Sequence, residues 1–377
     1  MAYQYSQLID NMVALTLTSL LLGASALVSA APSTHATRQS GCTFTDAATA
    51  IKNKASCTKI ILDGIAVPAG TTLDLTGLTK GTIVTFQGKT TFGVKQKFAG
   101  PLISISGTSI TVNGASGHVI DGSGASYWDG KGSNGEVKPK FFAAHNMISS
   151  SINNLNVLNT PVQAFSISNS QQLTLDHITI DNSAGDKGNL GHNTDAFDVG
   201  DSTGIFITNA NVKNQDDCLA VNSGTDIHFI NGTCSGGHGI SIGSVGGRTN
   251  NVVKTVVVSG STIINSQNGV RIKTVSDATG SVSDVTYKDI TLQNISEFGI
   301  VIRQDYLNGG PTGTATNGVP ITGLTIQNVK GTVASSGQDY FILCGSGSCS
   351  GWTWSGNSVT GGGVASNCKT APSGVTC

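Results

Sequence analysis

Short alternating apolar triplets recur along this chain at nearly regular intervals. One series reads Phe165-Ser-Ile167, Phe197-Asp-Val199, Leu219-Ala-Val221, Ile240-Ser-Ile242, Val270-Arg-Ile272 and Ile300-Val-Ile302, with first residues 32, 22, 21, 30 and 30 positions apart. A second series, out of phase with the first, reads Ile205-Phe-Ile207, Ile227-His-Phe229, Val256-Val-Val258 and Val285-Thr-Tyr287, at spacings of 22, 29 and 29. Ile178-Thr-Ile180 and Ile290-Thr-Leu292 belong to a third. Periods of about 20–50 residues mark solenoids and arrays. Alternation with a period of two marks strands, not helices. Gly, Asn, Asp and Ser between the triplets supply the corners. Several short strands per period, without helical periodicity between them, predict an all-β fold: a right-handed parallel β-helix, a single-domain solenoid with strands stacked about 4.8 Å apart. The outer residues of each triplet then point into the core. A β-propeller and a β-sandwich are the competing architectures. A propeller needs four strands in about 40 residues and often a Trp-Asp signature, whereas the three Trp here occupy no repeated place.

A solenoid must be capped at both ends. Cys42 and Cys57, with a short helix predicted over residues 45–54, are placed to close one end, and the Cys-rich last 35 residues to close the other. The remaining cysteines are Cys218, Cys234, Cys344, Cys349, Cys368 and Cys377. An even count in an exported chain favours disulfides, and eight cysteines allow 105 connectivities. They fall into sequence neighbours, so the expected pairs are 42–57, 218–234, 344–349 and 368–377. Zinc is the alternative use, but no paired CxxC spacing supports it.

Export is read from the N-terminus. Val13 to Val28 is apolar and ends in Val28-Ser29-Ala30, with small residues at the −3 and −1 positions of a cleavage site. Residues 1–30 are therefore read as a signal peptide and 31–38 as a short propeptide, leaving 39–377 as the β-helix domain. The apolar run is short for a membrane span of about 20 residues. No Lys or Arg precedes it. Asn231-Gly-Thr233 and Asn294-Ile-Ser296 are glycosylation sequons, which suits a secreted, extracellular protein. Beyond residue 38 the chain has 20 Lys+Arg and 21 Asp+Glu, a net charge of −1. That balance supplies no basic field for nucleic acid. Attraction to any polyanion must come from local placement.

Stacking brings polar residues of equal phase together. Asp195 lies two before Phe197, Asp217 two before Leu219 and His238 two before Ile240. Asp216 adds a carboxylate beside Asp217. One coil later, Arg271 and Lys273 flank the inward Ile272 and are expected to face outward on the same side. Each feature has an ordinary structural explanation: Asp-Asp as a solvated turn, Gly237-His238-Gly239 as a plain turn, Arg271 and Lys273 as surface charges. Only 11% of residues are charged, against about 25% in an average protein. In a chain so poor in charge, clustering on consecutive coils points to a site. Glycosidic cleavage needs an acid for the leaving oxygen and a base for water or a nucleophile. Crowded carboxylates raise one another's pKa, so one of them keeps a proton. The cations suit a carboxylate-bearing sugar.

Asn193-Thr194-Asp195, Asp216-Asp217, Gly237-His238-Gly239 and Arg271-Ile272-Lys273, in this order and spacing, resemble the four signature motifs of the polygalacturonases, the glycoside hydrolase family 28 pectinases. The resemblance covers roughly residues 40–377, departs at Ala196 where many members have Gly, and is strongest to the fungal secreted enzymes. It implies an endo-acting hydrolase of α-1,4-galacturonosidic bonds in polygalacturonate, working by inversion as a monomer without metal or cofactor. It implies Asp216 as general acid and Asp195 and Asp217 as holders of the attacking water, with His238 keeping the acid protonated. It also implies substrate contacts from Asn193, Arg271, Lys273 and Tyr306. Inverting carboxylates stand about 6.5–9.5 Å apart, more than simple stacking gives, so inversion rests on the resemblance. Asp216 and Asp217 cannot both face outward on a regular strand, so they are expected where a strand starts or bends. Within the same family an exo-acting relative, or one acting on a substituted pectin, is the neighbouring reading. A pectate lyase, needing calcium and a cationic base, and a non-catalytic polysaccharide-binding solenoid are the readings of other classes.

Overall fold

The computed structural model describes residues 41–308 and 310–377, so the expected signal peptide and propeptide lie outside the described residues. The strands form a right-handed parallel β-helix in which each coil pairs with the next. The first triplet series builds one ladder, with Phe142, Phe165, Phe197, Leu219, Ile240, Val270, Ile300 and Tyr340 in successive register. The second builds another through Ile205, Ile227, Val256 and Val285. The third runs through Ile180, Val212, Cys234, Ile263 and Leu292. The outer residues of the triplets are buried and share one core.

That core holds a file of phenyl rings. Phe142, Phe165 and Phe197 follow one another with centroids 5.0 and 5.5 Å apart, and Phe197 meets Phe229 at 6.3 Å. All four rings are fully buried. In-register stacking explains why one residue type recurs at one phase. Replacing Phe197 by Ala opens a cavity in this file and is expected to cost about 3–5 kcal/mol. Chemical denaturation monitored by circular dichroism measures it, and a loss below about 1 kcal/mol would show that the file is not a packing unit.

Alternation alone did not reveal the bends. Gln172, Gly204, Asp226, Thr255 and Asp284 occupy one register position of the second ladder and take φ of 51, 68, 61, 55 and 56°. Each breaks the pleat at the same place, so the bend propagates from coil to coil. A β-branched Thr rarely adopts this region, which is why the residue types gave no signal. The corner between the second and third ladders is more legible. Asn209, Asn231 and Asn328 lie there at φ of 54, 57 and 54°, a region that Asn tolerates well.

The helix at the N-terminal cap spans Ala47–Asn53, and Asp46 caps it by accepting the Thr49 N–H at 2.8 Å. The disulfides are Cys42–Cys57, Cys218–Cys234, Cys344–Cys349 and Cys368–Cys377, each between sequence neighbours. Asn231 and Asn294 are both exposed. Among the described residues no helix is long and apolar enough to cross a membrane.

Candidate active site

The carboxylates sit where strands of the first ladder begin. Asp216 and Asp217 occupy the bend before strand Leu219–Val221, and Asp195 the corresponding turn before strand Phe197–Gly200. This is how two consecutive aspartates both reach one face. Asn214 secures the bend: its Nδ2 donates to the carbonyls of Thr194, Asp216 and Asp217 at 2.9, 2.9 and 3.1 Å. Gln215 ties it to the coil before, donating its N–H to Thr194 Oγ1 while its Oε1 accepts from that hydroxyl, both at 2.8 Å. The Cys218–Cys234 bridge follows directly after the acids.

Asp217 is the most enclosed of the three motif aspartates, at 2% exposure. Its Oδ2 accepts from Lys273 Nζ at 2.9 Å. Its Oδ1 accepts from Ser241 Oγ at 2.8 Å and from the Arg271 guanidinium. Burial pushes this carboxyl up, but Arg271 and Lys273 outweigh it and hold the group at about 2. Asp217 is therefore ionised at any working pH.

Asp216 has a different setting. Its Oδ1 accepts the Asp217 N–H at 2.8 Å and faces His238 Nδ1 at 3.1 Å, while its Oδ2 accepts from Asn193 Nδ2 at 3.2 Å. Asn193 is itself held, accepting the Ser133 N–H at 2.9 Å. Asp195 has the opposite environment to Asp217. Burial, and then the charges of Asp216, Asp198 and Asp217, push its carboxyl well above the usual range. Its buried Oδ1 has no hydrogen-bond partner among the described residues.

Two groups escaped the sequence reading. Asp198, the middle residue of an apolar triplet, faces the same cleft. Burial pushes it up to about 7 against the pull of Lys140, and Asp217 and Asp216 add to the rise. Ser241, the middle residue of the next triplet but one, touches Asp217. The signal was present: middle residues point outward, so Asp198, Ala220, Ser241 and Arg271 form one column across consecutive coils. Arg271 and Lys273 do reach the predicted face, but in the structure they neutralise Asp217. Lys273 Nζ also lies 5.2 Å from the centroid of the Tyr306 ring.

All eight sequence-predicted site residues, from Asn193 to Tyr306, line a single cleft of about 530 Å³. The cleft continues on both sides. A second hollow shares Gln163 with it and extends over Lys140, His145 and Ser166 on earlier coils. Another shares Arg271, Lys273 and Tyr306 and extends to Arg303 on a later coil. Asp216, Asp217 and His238 present ligand atoms within 4.8 Å of one another, a spacing that a cation could bridge. The two cations on Asp217 already balance its charge.

The family model described as Glycosyl hydrolases family 28 matches residues 57–377. The chain belongs to glycosyl hydrolase family 28. This family 28 chain is 67% identical over 367 residues to a polygalacturonase of Cochliobolus carbonum, covering 97% of this chain and all of that protein. It is 61% identical to endopolygalacturonase 1 of Colletotrichum lindemuthianum, covering 94% of this chain and 97% of the relative. Among solved structures it superposes on endopolygalacturonase I of Stereum purpureum complexed with two galacturonates, with a TM-score of 0.78 and 42% identity. That alignment covers 86% of this chain and 96% of the other. As a member of family 28 the chain is a glycoside hydrolase, and its four disulfides fit an oxidising compartment.

Proposed function

We propose that this family 28 chain is a secreted endo-polygalacturonase that hydrolyses internal α-1,4-galacturonosidic bonds of pectate with inversion. The observation that carries the endo reading is the cleft, which runs past the carboxylates in both directions along the coils. A polymer laid across the coils finds room on either side of the point of cleavage. The names of the fungal relatives support the same substrate.

Asp216 is the general acid in this reading. It is the carboxyl that Asn193 and His238 hold from two sides, with its Oδ2 less engaged than its Oδ1. Asp195 and Asp217 hold the attacking water. Asp217 is fixed as an anion, and the unpartnered Oδ1 of Asp195 is a natural acceptor for the water's hydrogen. In this reading Asp216 gives its proton to the departing sugar oxygen, and Asp195, whose carboxyl burial pushes up, takes the proton of the water as base. Arg271, Lys273 and Tyr306 receive the substrate carboxylate on the leaving-group side, using the guanidinium and ammonium donors that Asp217 does not take. Asn193 binds the sugar beside the acid. Residues 1–30 direct export, 31–38 form a propeptide, and the mature domain acts outside the cell as a monomer, with glycans on Asn231 and Asn294.

The test is chain-length analysis of products from polygalacturonate over time at acid pH. A broad early distribution of saturated oligomers, unaffected by chelator, is expected. Monomer alone from the first minutes would establish an exo-acting enzyme. Unsaturated ends, lost with chelator, would establish a lyase.

A further inference from the structure

We propose that Ser241 is a positioning residue for Asp217, orienting the water-holding carboxylate and joining it to Arg271. The inference rests on the hydrolase reading above.

The geometry allows the hydroxyl one arrangement. Ser241 is fully buried. Its Oγ lies 2.8 Å from Asp217 Oδ1 and 2.9 Å from Arg271 Nε. A guanidinium only donates and a carboxylate only accepts. The single hydroxyl proton must therefore point at Asp217, while a lone pair of Oγ receives the Nε–H of Arg271. The Arg271 terminal nitrogen touches the same Oδ1 directly, which closes a ring of three side chains. Without Ser241, Arg271 would hold Asp217 through one nitrogen and could swing about that contact. With it, two points of the guanidinium edge are anchored, and the Asp217 carboxylate is fixed about its terminal torsion. Lys273 fixes the other oxygen.

Asp217 feels charge from every coil around it. Asp195 and Asp198 face it from the coil before, Asp216 from its own bend, His238 from the coil after, and Arg271 and Lys273 from the coil beyond. Ser241→Ala alters none of those charges and removes one neutral donor. Ala220, the neighbour of Ser241 in the same column, shows that this column accepts alanine.

Ser241→Ala is therefore expected to lower kcat by roughly 10-fold or more, in line with loss of a hydrogen bond to a charged group. KM stays within about twofold, because the loss falls after substrate binding. The acidic limb of the kcat profile stays in place, because Arg271 and Lys273 still hold Asp217 as an anion. Ser241→Thr, which keeps the hydroxyl, recovers most of the rate. Should the alanine variant lose its fold, Ser241→Thr is compared with Ser241→Cys, which fills the site with a weaker donor. Folded Ala or Cys variants with wild-type kcat, or a loss that falls on KM instead of kcat, would overturn the proposal. Wild-type turnover is measured alongside. An inactive wild type removes the hydrolase reading, whereas an active wild type with indifferent Ser241 variants removes only this inference.

Discussion

Asp216→Asn is expected to reduce hydrolysis of polygalacturonate by roughly 10²- to 10⁴-fold, the usual contribution of a positioned acid. The substitution keeps the size of the side chain and its acceptor toward the Asp217 N–H. It takes away the one proton the leaving oxygen needs. Fold and stability should change little, because Asp216 is partly solvated, with its side chain 13% exposed. The assignment to the acid, rather than to the base, has its own signature. An oligogalacturonide carrying a nitrophenyl leaving group needs no protonation, so Asp216→Asn should retain much more of the wild-type rate on it. Asp195→Asn should not be rescued in this way. A variant that cleaves natural polymer at the wild-type rate, or one that the activated substrate fails to rescue, would take Asp216 out of the acid role.

The second large effect concerns the cations. Arg271→Gln leaves Asp217 buried at 2% exposure with Lys273 as its single remaining cation. Breaking a buried, hydrogen-bonded ion pair from one side typically costs about 3–5 kcal/mol. The sign of the pH dependence follows from Asp217. In the wild type its folded pKa is about 2, below the 3.8 of a free aspartate. It therefore contributes stability that is present above the unfolded pKa and lost as pH falls through the folded one. In Arg271→Gln the upward push of burial is less opposed, so the folded pKa rises. If it passes the unfolded value the contribution changes sign, and the variant is relatively most unstable near neutrality and partly recovers on acidification. Denaturation midpoints of both proteins between pH 4 and 7 measure the difference. Equal midpoints across that range would show that Lys273 alone suffices. Activity should fall with stability, because Arg271 holds Asp217 in place.

The fold was legible because two properties coincide at every rung. Triplets such as Phe165-Ser-Ile167 alternate, and they recur at a coil's length, so the same residues define both the strand and its register. The shared phase of Asp195, Asp217 and His238, which brings them to one cleft, was legible for the same reason. Three things were not. The left-handed bend at Gln172 and Thr255 is imposed by neighbouring coils and has no local residue signature. Asp198 and Ser241 were hidden inside triplets read for their apolar ends. The placement of Arg271 and Lys273 on Asp217 depends on side-chain reach across coils, which spacing does not encode. Reading the middle residues of the triplets as a column would have recovered Asp198 and Ser241.

The position of the site along the stack has a further consequence. Among the described residues, the first ladder has four rungs before the strand that follows Asp195 and four after the strand that follows Asp217. In a solenoid each rung is supported only by its neighbours, so thermal fraying starts at an end and works inward. The disulfides at each terminus slow its onset. The carboxylates, at the midpoint, are the last part of the shaft that such erosion reaches, so order can be lost at either tip while the cleft in the middle keeps its geometry.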